Sequence, residues 1–188
     1  MNPPHCSACG AAFHPEQRAA RHPECLSCGT FNWQNPRPVV NFLQPVLTES
    51  GLGLAVARRG IAPDQGSYAL PGGFVEIGEH TRQAAAREFF EESGFQMDYR
   101  QLVTLGDLPS TAGTQMLIFV MNKHALSIPQ FMLLKDTDEM YDWAILTQDS
   151  DIQLCWPTHR VVAHQWLASQ PQQRGSYPIR PDLLAFAA

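Results

Sequence analysis

Short apolar runs separated by turn residues dominate the chain after residue 38. Val39–Leu47 (VVNFLQPVL) and Leu52–Arg59 (LGLAVARR) read as two strands joined by a turn at TESG. Gln115–Met121 (QMLIFVM) is an apolar run of the length expected for a buried strand, and Tyr141–Leu146 (YDWAIL) is a further strand. Two segments read as helices. TRQAAAREFFEES, Thr81–Ser93, holds no Gly or Pro and is followed by Gly94, placed to close a helix in the left-handed conformation. VVAHQWLAS, Val161–Ser169, is the second, with its start at Pro157 or Thr158. Strands on both sides of one helix, with a second helix late in the chain, predict an α/β fold with a mixed sheet sandwiched by helices.

On the first helix, Glu88, Glu91 and Glu92 stand at i, i+3 and i+4 and share a face, while Ala86, Phe89 and Phe90 point the other way toward a core. Like charges at this spacing repel by roughly 0.2–0.5 kcal/mol per pair. The last turns of a helix also favour cations over anions. Arg87 can pair with Glu91 one turn on, but one Arg against three Glu leaves a negative patch. Such a patch is either a solvated acidic face or a site for a hard divalent cation such as Mg²⁺ or Mn²⁺.

The flanking residues extend the pattern. Leu70-Pro71-Gly72-Gly73 is a turn, and from Gly73 the chain follows G-x5-E-x7-R-E-U-x-E-E-x-G-U, where U is bulky and apolar. Gly73, Glu79, Arg87, Glu88, Phe89, Glu91, Glu92, Gly94 and Phe95 fill every specified position. This resembles the signature of the Nudix hydrolases. The resemblance implies a loop–helix–loop that holds Mg²⁺ or Mn²⁺ against a diphosphate, within an α/β/α sandwich. It implies attack by water on phosphorus with release of a nucleoside monophosphate. Glu88, Glu91 and Glu92 match the family's metal-binding glutamates, and Glu79 is placed to complete or orient the metal shell. Arg87 is read as positioning a glutamate, and Gly73 as allowing close backbone approach. The general base is open between Glu92 and Glu139 in KDTDEM, where the other reading of Glu139 is an ordinary solvated acid.

Cysteine spacing adds a second module. Cys6, Cys9, Cys25 and Cys28 form C-x2-C-x15-C-x2-C, with Gly10 and Gly29 after the pairs. In a reducing compartment this spacing reads as a four-thiolate Zn²⁺ site. His5, His14 and His22 are read as surface histidines, and Cys155 as a buried structural thiol. About 33 residues bury little core, so Zn²⁺ would stabilise this ribbon directly. We expect a ribbon over 1–33, a Nudix-type domain over 34–170 entered through the Asn35–Pro38 stretch, and an extended tail over 171–188.

Charge and composition bound the partners. The net charge of −5 argues against a non-specific grip on nucleic acid. Residues 1–33 carry Arg18 and Arg21 against Glu16 and Glu24, with no Lys, so a thiolate-bound ribbon is net negative and suits a structural or dimer-supporting role. No apolar run reaches the roughly 18 residues of a membrane helix, and the opening MNPPHCSACG lacks a signal peptide's basic and apolar regions. The expected protein is cytoplasmic, membrane-free and homodimeric, acting on a small nucleotide.

A ribbon before such a domain resembles both NADH pyrophosphatases and a zinc-ribbon group that includes plant FAD/ADP-ribose pyrophosphatases. The SQPWPFPxS motif of the former is absent from Thr104–Met121. The resemblance to the latter takes in QNPRPVV, TQMLIF and the stretch around Asp138 and Glu139, and implies a substrate such as ADP-ribose or FAD. Alternatives are an NADH pyrophosphatase and a non-catalytic nucleotide sensor. Tyr141, Trp143 and Phe119 are candidates to stack on a base or to belong to the core, and Arg58 and Arg59 to meet a phosphate or to lie on the surface.

Overall fold

The computed structural model describes residues 4–170; the expected tail, 171–188, lies outside them. The chain divides into two compact units, Met1–Pro36 and Arg37–Ala188, so the division falls inside the Pro-rich Asn35–Pro38 stretch.

The larger unit is built on two sheets. In the first, β1 (Arg37–Leu43) runs parallel to β6 (Gln115–Asn122), and β6 runs antiparallel to β5 (Leu102–Pro109), giving the mixed sheet. The second gathers β2 (Pro45–Thr48), β4 (Tyr68–Ala69) and β7 (Met140–Leu146) around β3 (Gly51–Arg59), all antiparallel to it. The stretch expected as one strand, Val39–Leu47, is two strands in different sheets. The break falls at Gln44–Pro45. The Gln44 side chain donates to the carbonyls of Pro45 and His124 and accepts from Asn122 Nδ2. These bonds hold a fully buried amide at the corner where the chain changes sheets.

Strand alternation divides the core. Val40 and Phe42 of β1, with Ile118 and Val120 of β6, face α2 (Thr81–Ser93) and pack on Ala84, Ala85 and Phe89. Leu43 of β1, with Leu117, Phe119 and Met121 of β6, faces the other way, onto β3, β7 and α4 (Pro157–Ser169) through Leu54, Val56, Leu146, Val162 and Trp166. The first sheet is thus held between α2 on one side and the second sheet with α4 on the other. Elements without a sequence signal in our reading are β4, β5 and the short helices α1 (Pro15–Ala19) and α3 (Ile128–Phe131). Among the described residues no helix is long and apolar enough to cross a membrane.

In the smaller unit, two turns of the same form face each other. Cys6 N–H donates to Ala11 O and Gly10 N–H to Cys6 O; Cys25 N–H donates to Thr30 O and Gly29 N–H to Cys25 O. Short antiparallel bridges, His5 to Ala12 and Glu24 to Phe31, close both turns.

Candidate active site and thiol cluster

The helix that carries the acidic residues is fixed at both ends. At its start His80 accepts the Gln83 N–H on its ring and donates its own N–H to the Gln83 side chain. At its end Gly94 adopts φ 68°, the left-handed conformation that closes the helix. The faces differ from expectation in two places. Phe90 is half exposed, whereas Glu92 is 5% exposed and lies on the core side beside Ser93. Glu92 is therefore no part of a solvent-facing patch. At 100° per residue it neighbours Phe89 and the buried alanines closely enough to be drawn under the loop at Gly72.

Arg87 organises the rest. Its Nη2 reaches Glu79 at 2.7 Å and the Phe74 carbonyl at 2.9 Å, and its Nη1 reaches both Glu88 and Glu91 at 2.9 Å. Glu79 also accepts the Glu76 N–H at 2.8 Å. Bonding to Arg87 holds the Glu79 carboxyl below its ordinary range. Glu79 thus braces Arg87, and Arg87 ties the loop to the helix face. Gly73 allows this approach: a Cβ there would meet the Glu88 carboxylate at 2.5 Å.

Glu88, Glu91 and Glu92 line a cavity of about 750 Å³, with Glu139 on the same lining and Glu79 outside it. Burial raises the Glu88 carboxyl, against the pull of Arg87. Burial raises Glu92 much further; the Gly72 N–H, 2.8 Å from its Oε2, opposes this only in part, and the charges of Glu88 and Glu139 add to the rise. The Glu139 charge adds to the rise of both Glu88 and Glu92, and all three line the same cavity. The loop before β7 brings Glu139 there. Thr137 donates to the Glu92 carbonyl, Lys135 N–H to Ser93 O, and Gly60 N–H to the Glu139 carbonyl. No three of these carboxylates bring their oxygens to within 4.8 Å of one another, but the chemistry of the donors suits a hard divalent cation. The oxygens are hard, Glu88 and Glu92 are desolvated, and Arg87 bonds Glu79, Glu88 and Glu91 but makes no bond to Glu92.

Other parts of the cavity lining come from residues the motif does not specify. Asn41 of β1, Arg59 of β3, Phe74, and Trp156 and His159 at the start of α4 line it. Arg59 lies over the Trp156 ring at 4.7 Å, and Trp156 meets His159 edge-on with centroids 4.7 Å apart. Of the expected stacking and phosphate residues, only Arg59 reaches the cavity. Phe119 is buried in the core, Trp143 packs on Phe89, and Arg58 pairs with Asp142 at 2.9 Å. The Trp-Pro step at the N-terminus of the expected helix was the available signal for Trp156, since it fixes the residue at a helix mouth.

In the smaller unit the Sγ atoms of Cys6, Cys9, Cys25 and Cys28 lie within 4.8 Å of one another, the one such group of three or more potential ligands among the described residues. Cys6 and Cys28 are 3.8 Å apart, Cys9 and Cys25 3.6 Å, and none forms a disulfide. A tetrahedral ion with bonds of ~2.3 Å has sulfur–sulfur edges of about 3.8 Å. The backbone N–H of Cys9, with the Asn32 amide and the Ala8 N–H, lowers the Cys6 thiol to about 6. Donors on sulfur favour the thiolate at Cys6 and Cys28, whereas at Cys9 the Ala11 N–H is outweighed by the neighbouring Cys28 and Cys25, which push it up to about 12 while no cation offsets their charge. Four thiolates at this separation fit Zn²⁺.

The family model of the NUDIX domain matches residues 37–168. An NAD-capped RNA hydrolase NudC of Haemophilus influenzae is 32% identical over 93 residues, 47% of this chain and 34% of that protein. An ADP-ribose pyrophosphatase of Methanocaldococcus jannaschii is 33% identical over 73 residues, 36% of this chain and 43% of that one. The chain therefore spans less than half the length of these curated relatives. Among solved structures, a NUDIX hydrolase from Nitrosomonas europaea matches with a TM-score of 0.58 at 22% identity, covering 87% of this chain and 90% of its own. The NUDIX domain of Shewanella oneidensis NrtR, complexed with ADP ribose, matches with a TM-score of 0.55 at 15% identity, covering 70% and 86%. These structural likenesses show the fold, and the domain match across residues 37–168 shows that the chain belongs to the NUDIX family.

Proposed function

We propose that this chain hydrolyses the pyrophosphate bond of an ADP-linked compound such as ADP-ribose or FAD, releasing AMP, with Mg²⁺ or Mn²⁺ held by Glu88, Glu91 and Glu92. The observation that carries this reading is the buried Glu92 carboxylate on one lining with Glu88, Glu91 and Glu139, at a cavity large enough for a nucleotide. A bound cation would neutralise phosphate charge and activate water. The protein's own groups supply position and proton transfer. Arg87 fixes Glu88 and Glu91 and is itself braced by Glu79, so Glu79 acts through Arg87 and not as a ligand. Of the two candidates for the base, Glu139 is exposed at the cavity and free to take a proton from water, whereas Glu92 is committed to the Gly72 N–H. The four cysteines would hold a structural Zn²⁺.

The ADP-ribose pyrophosphatase relative supports the substrate class. A second reading, cleavage of NAD-type ends, is supported by the NudC relatives, though the chain lacks the SQPWPFPxS stretch. Initial rates with ADP-ribose, FAD and NADH in Mg²⁺ or Mn²⁺, with products separated by chromatography, decide between them. The expected result is a higher kcat/KM for ADP-ribose or FAD, with AMP as a product. A preference for NADH of about tenfold, near 1.4 kcal/mol in transition-state binding, reverses the choice. No hydrolysis of any of the three overturns the proposal.

A further inference from the structure

The cavity wall also holds a buried polar array, beside the Gly72 loop that bonds Glu92. Leu70 N–H donates to His159 Nδ1 at 3.2 Å. That nitrogen must then be the unprotonated one, so Nε2 carries the hydrogen and donates to Asn41 Oδ1 at 2.7 Å. The contact fixes which way the Asn41 amide faces: its oxygen is turned to His159, and its NH₂ group is the other terminus. Asn41 is 3% exposed, it lines the cavity, and its Nδ2 has no hydrogen-bond partner among the described residues. The Leu70 N–H, which can only donate, holds the ring in this tautomer, and burial, with the nearby Arg59 charge, lowers His159 to about 3 and keeps it neutral.

A buried donor left without an acceptor is costly, and native proteins keep few of them. The surroundings here are largely apolar and aromatic, with the Arg59 guanidinium held over the Trp156 ring. Leu70, Leu117 and Phe74 line the cavity with Asn41, and Trp156 closes it beside His159. We propose that Asn41 is a substrate-binding residue that donates through Nδ2 to a neutral acceptor, a ring nitrogen or carbonyl oxygen, on the organic part of the substrate, with His159 as the residue that positions it. This rests on the nucleotide reading of the cavity. Because Oδ1 already accepts from His159, the wall presents a donor and discriminates against a ligand that offers an N–H at this point.

The acceptor belongs either to the adenosine half or to the second moiety, and AMP, ADP-ribose and FAD separate the two. Binding is measured by calorimetry on the full-length, zinc-loaded protein without added Mg²⁺ or Mn²⁺, so that affinity is read apart from turnover. Asn41→Asp keeps the size and the acceptor for His159 but replaces the donor by an oxygen. Asn41→Leu removes the donor without adding charge. Both are expected to weaken binding, Asn41→Asp by tenfold or more. Weakening with AMP places the acceptor in adenosine; weakening with ADP-ribose or FAD but not AMP places it in the second moiety. Variant affinities within twofold of wild type for all three ligands overturn the inference, as does wild-type protein that binds none of them. The wild-type protein alone gives a check free of any folding defect. The Asn41 side-chain NH₂ resonances should shift when ligand saturates, and unchanged resonances also overturn it. Wild type that binds but does not hydrolyse with metal counts against the proposed activity and leaves Asn41's role standing; hydrolysis with unaltered binding in the variants does the reverse.

Discussion

Glu92 shows at a single residue why the acidic helix cannot be explained by stability. A carboxylate 5% exposed, with one backbone N–H as partner and the charges of Glu88 and Glu139 acting against it, costs free energy in the metal-free fold. Glu92→Gln keeps the shape and the acceptor for Gly72 while removing the charge. Metal-free Glu92→Gln should therefore melt higher than wild type. A gain of ~1 kcal/mol would appear as roughly 2–4 °C in a chain of this size. Mg²⁺ or Mn²⁺ should then raise the wild-type Tm more than that of the variant, and kcat should fall by about 100-fold or more. Scanning calorimetry with and without the cation, beside a rate assay, checks this. Equal responses to the cation in both proteins would remove Glu92 from the ligand set. The motif spacing was enough to single out this residue, because the spacing of the signature is local in the chain. Its burial was not legible, because that depends on Gly72 arriving from a separate loop. Asn41 and His159 were invisible for the same reason: they meet only when β1 and α4 pack, 118 positions apart in sequence.

Elements with strong local signals were readable and those defined by their partners were not. The bounds expected for the acidic helix, Thr81–Ser93, are the observed ones, since helix formers run unbroken to a closing glycine. The strands β4 and β5 had no such signal. β4 is two residues long, and β5 buries only Leu102, its other positions being half-buried or exposed around Gly106 and a register shift against β6. The break at Gln44–Pro45 was missed because the apolar run continues across it, while the buried amide contacts that fix the corner come from Asn122 and His124. His159 joins elements in the same way, linking α4 to β1 through Asn41 and to the loop at Leu70. It also gives the fold a pH dependence of known sign. In the folded state the ring is held neutral down to about 3, whereas in the unfolded chain it gains a proton below its ordinary value near 6.5. Between those two values the unfolded state binds the extra proton, so this group's contribution to stability is lost as pH falls. From pH 6.5 to 5 the loss is about 1.6 kcal/mol for one such group. Urea unfolding of wild type and His159→Gln at both pH values should show wild type losing that much more than the variant. Parallel losses would mean that His159 titrates normally in the folded state.

At the scale of the whole molecule, two units meet the problem of stability by different means. Residues 37–170 bury apolar side chains on both faces of a sheet, with Phe42, Phe89, Phe119 and Leu54 fully enclosed. The Met1–Pro36 unit buries Cys6, Phe13 and Cys25 with Ala11 packed against them, and exposes Leu26, Phe31 and Trp33. So small an apolar cluster cannot offset the conformational entropy of ordering some 30 residues at roughly 1–2 kcal/mol each. Paired turns that converge four sulfurs to within 4.8 Å need another source of free energy, and a structural Zn²⁺ site supplies on the order of 10–16 kcal/mol at neutral pH. Protein purified without chelators should thus contain about one Zn²⁺ per chain, measured by atomic emission. Cys25→Ser removes one of the two buried sulfurs and should lose the metal. Amide exchange should then show residues 4–36 unprotected in the variant, while the backbone of β1, β3 and β6 stays protected by its own core. Wild-type protein free of zinc, or a variant in which residues 4–36 keep their protection, would show that the turns are held by their backbone hydrogen bonds alone.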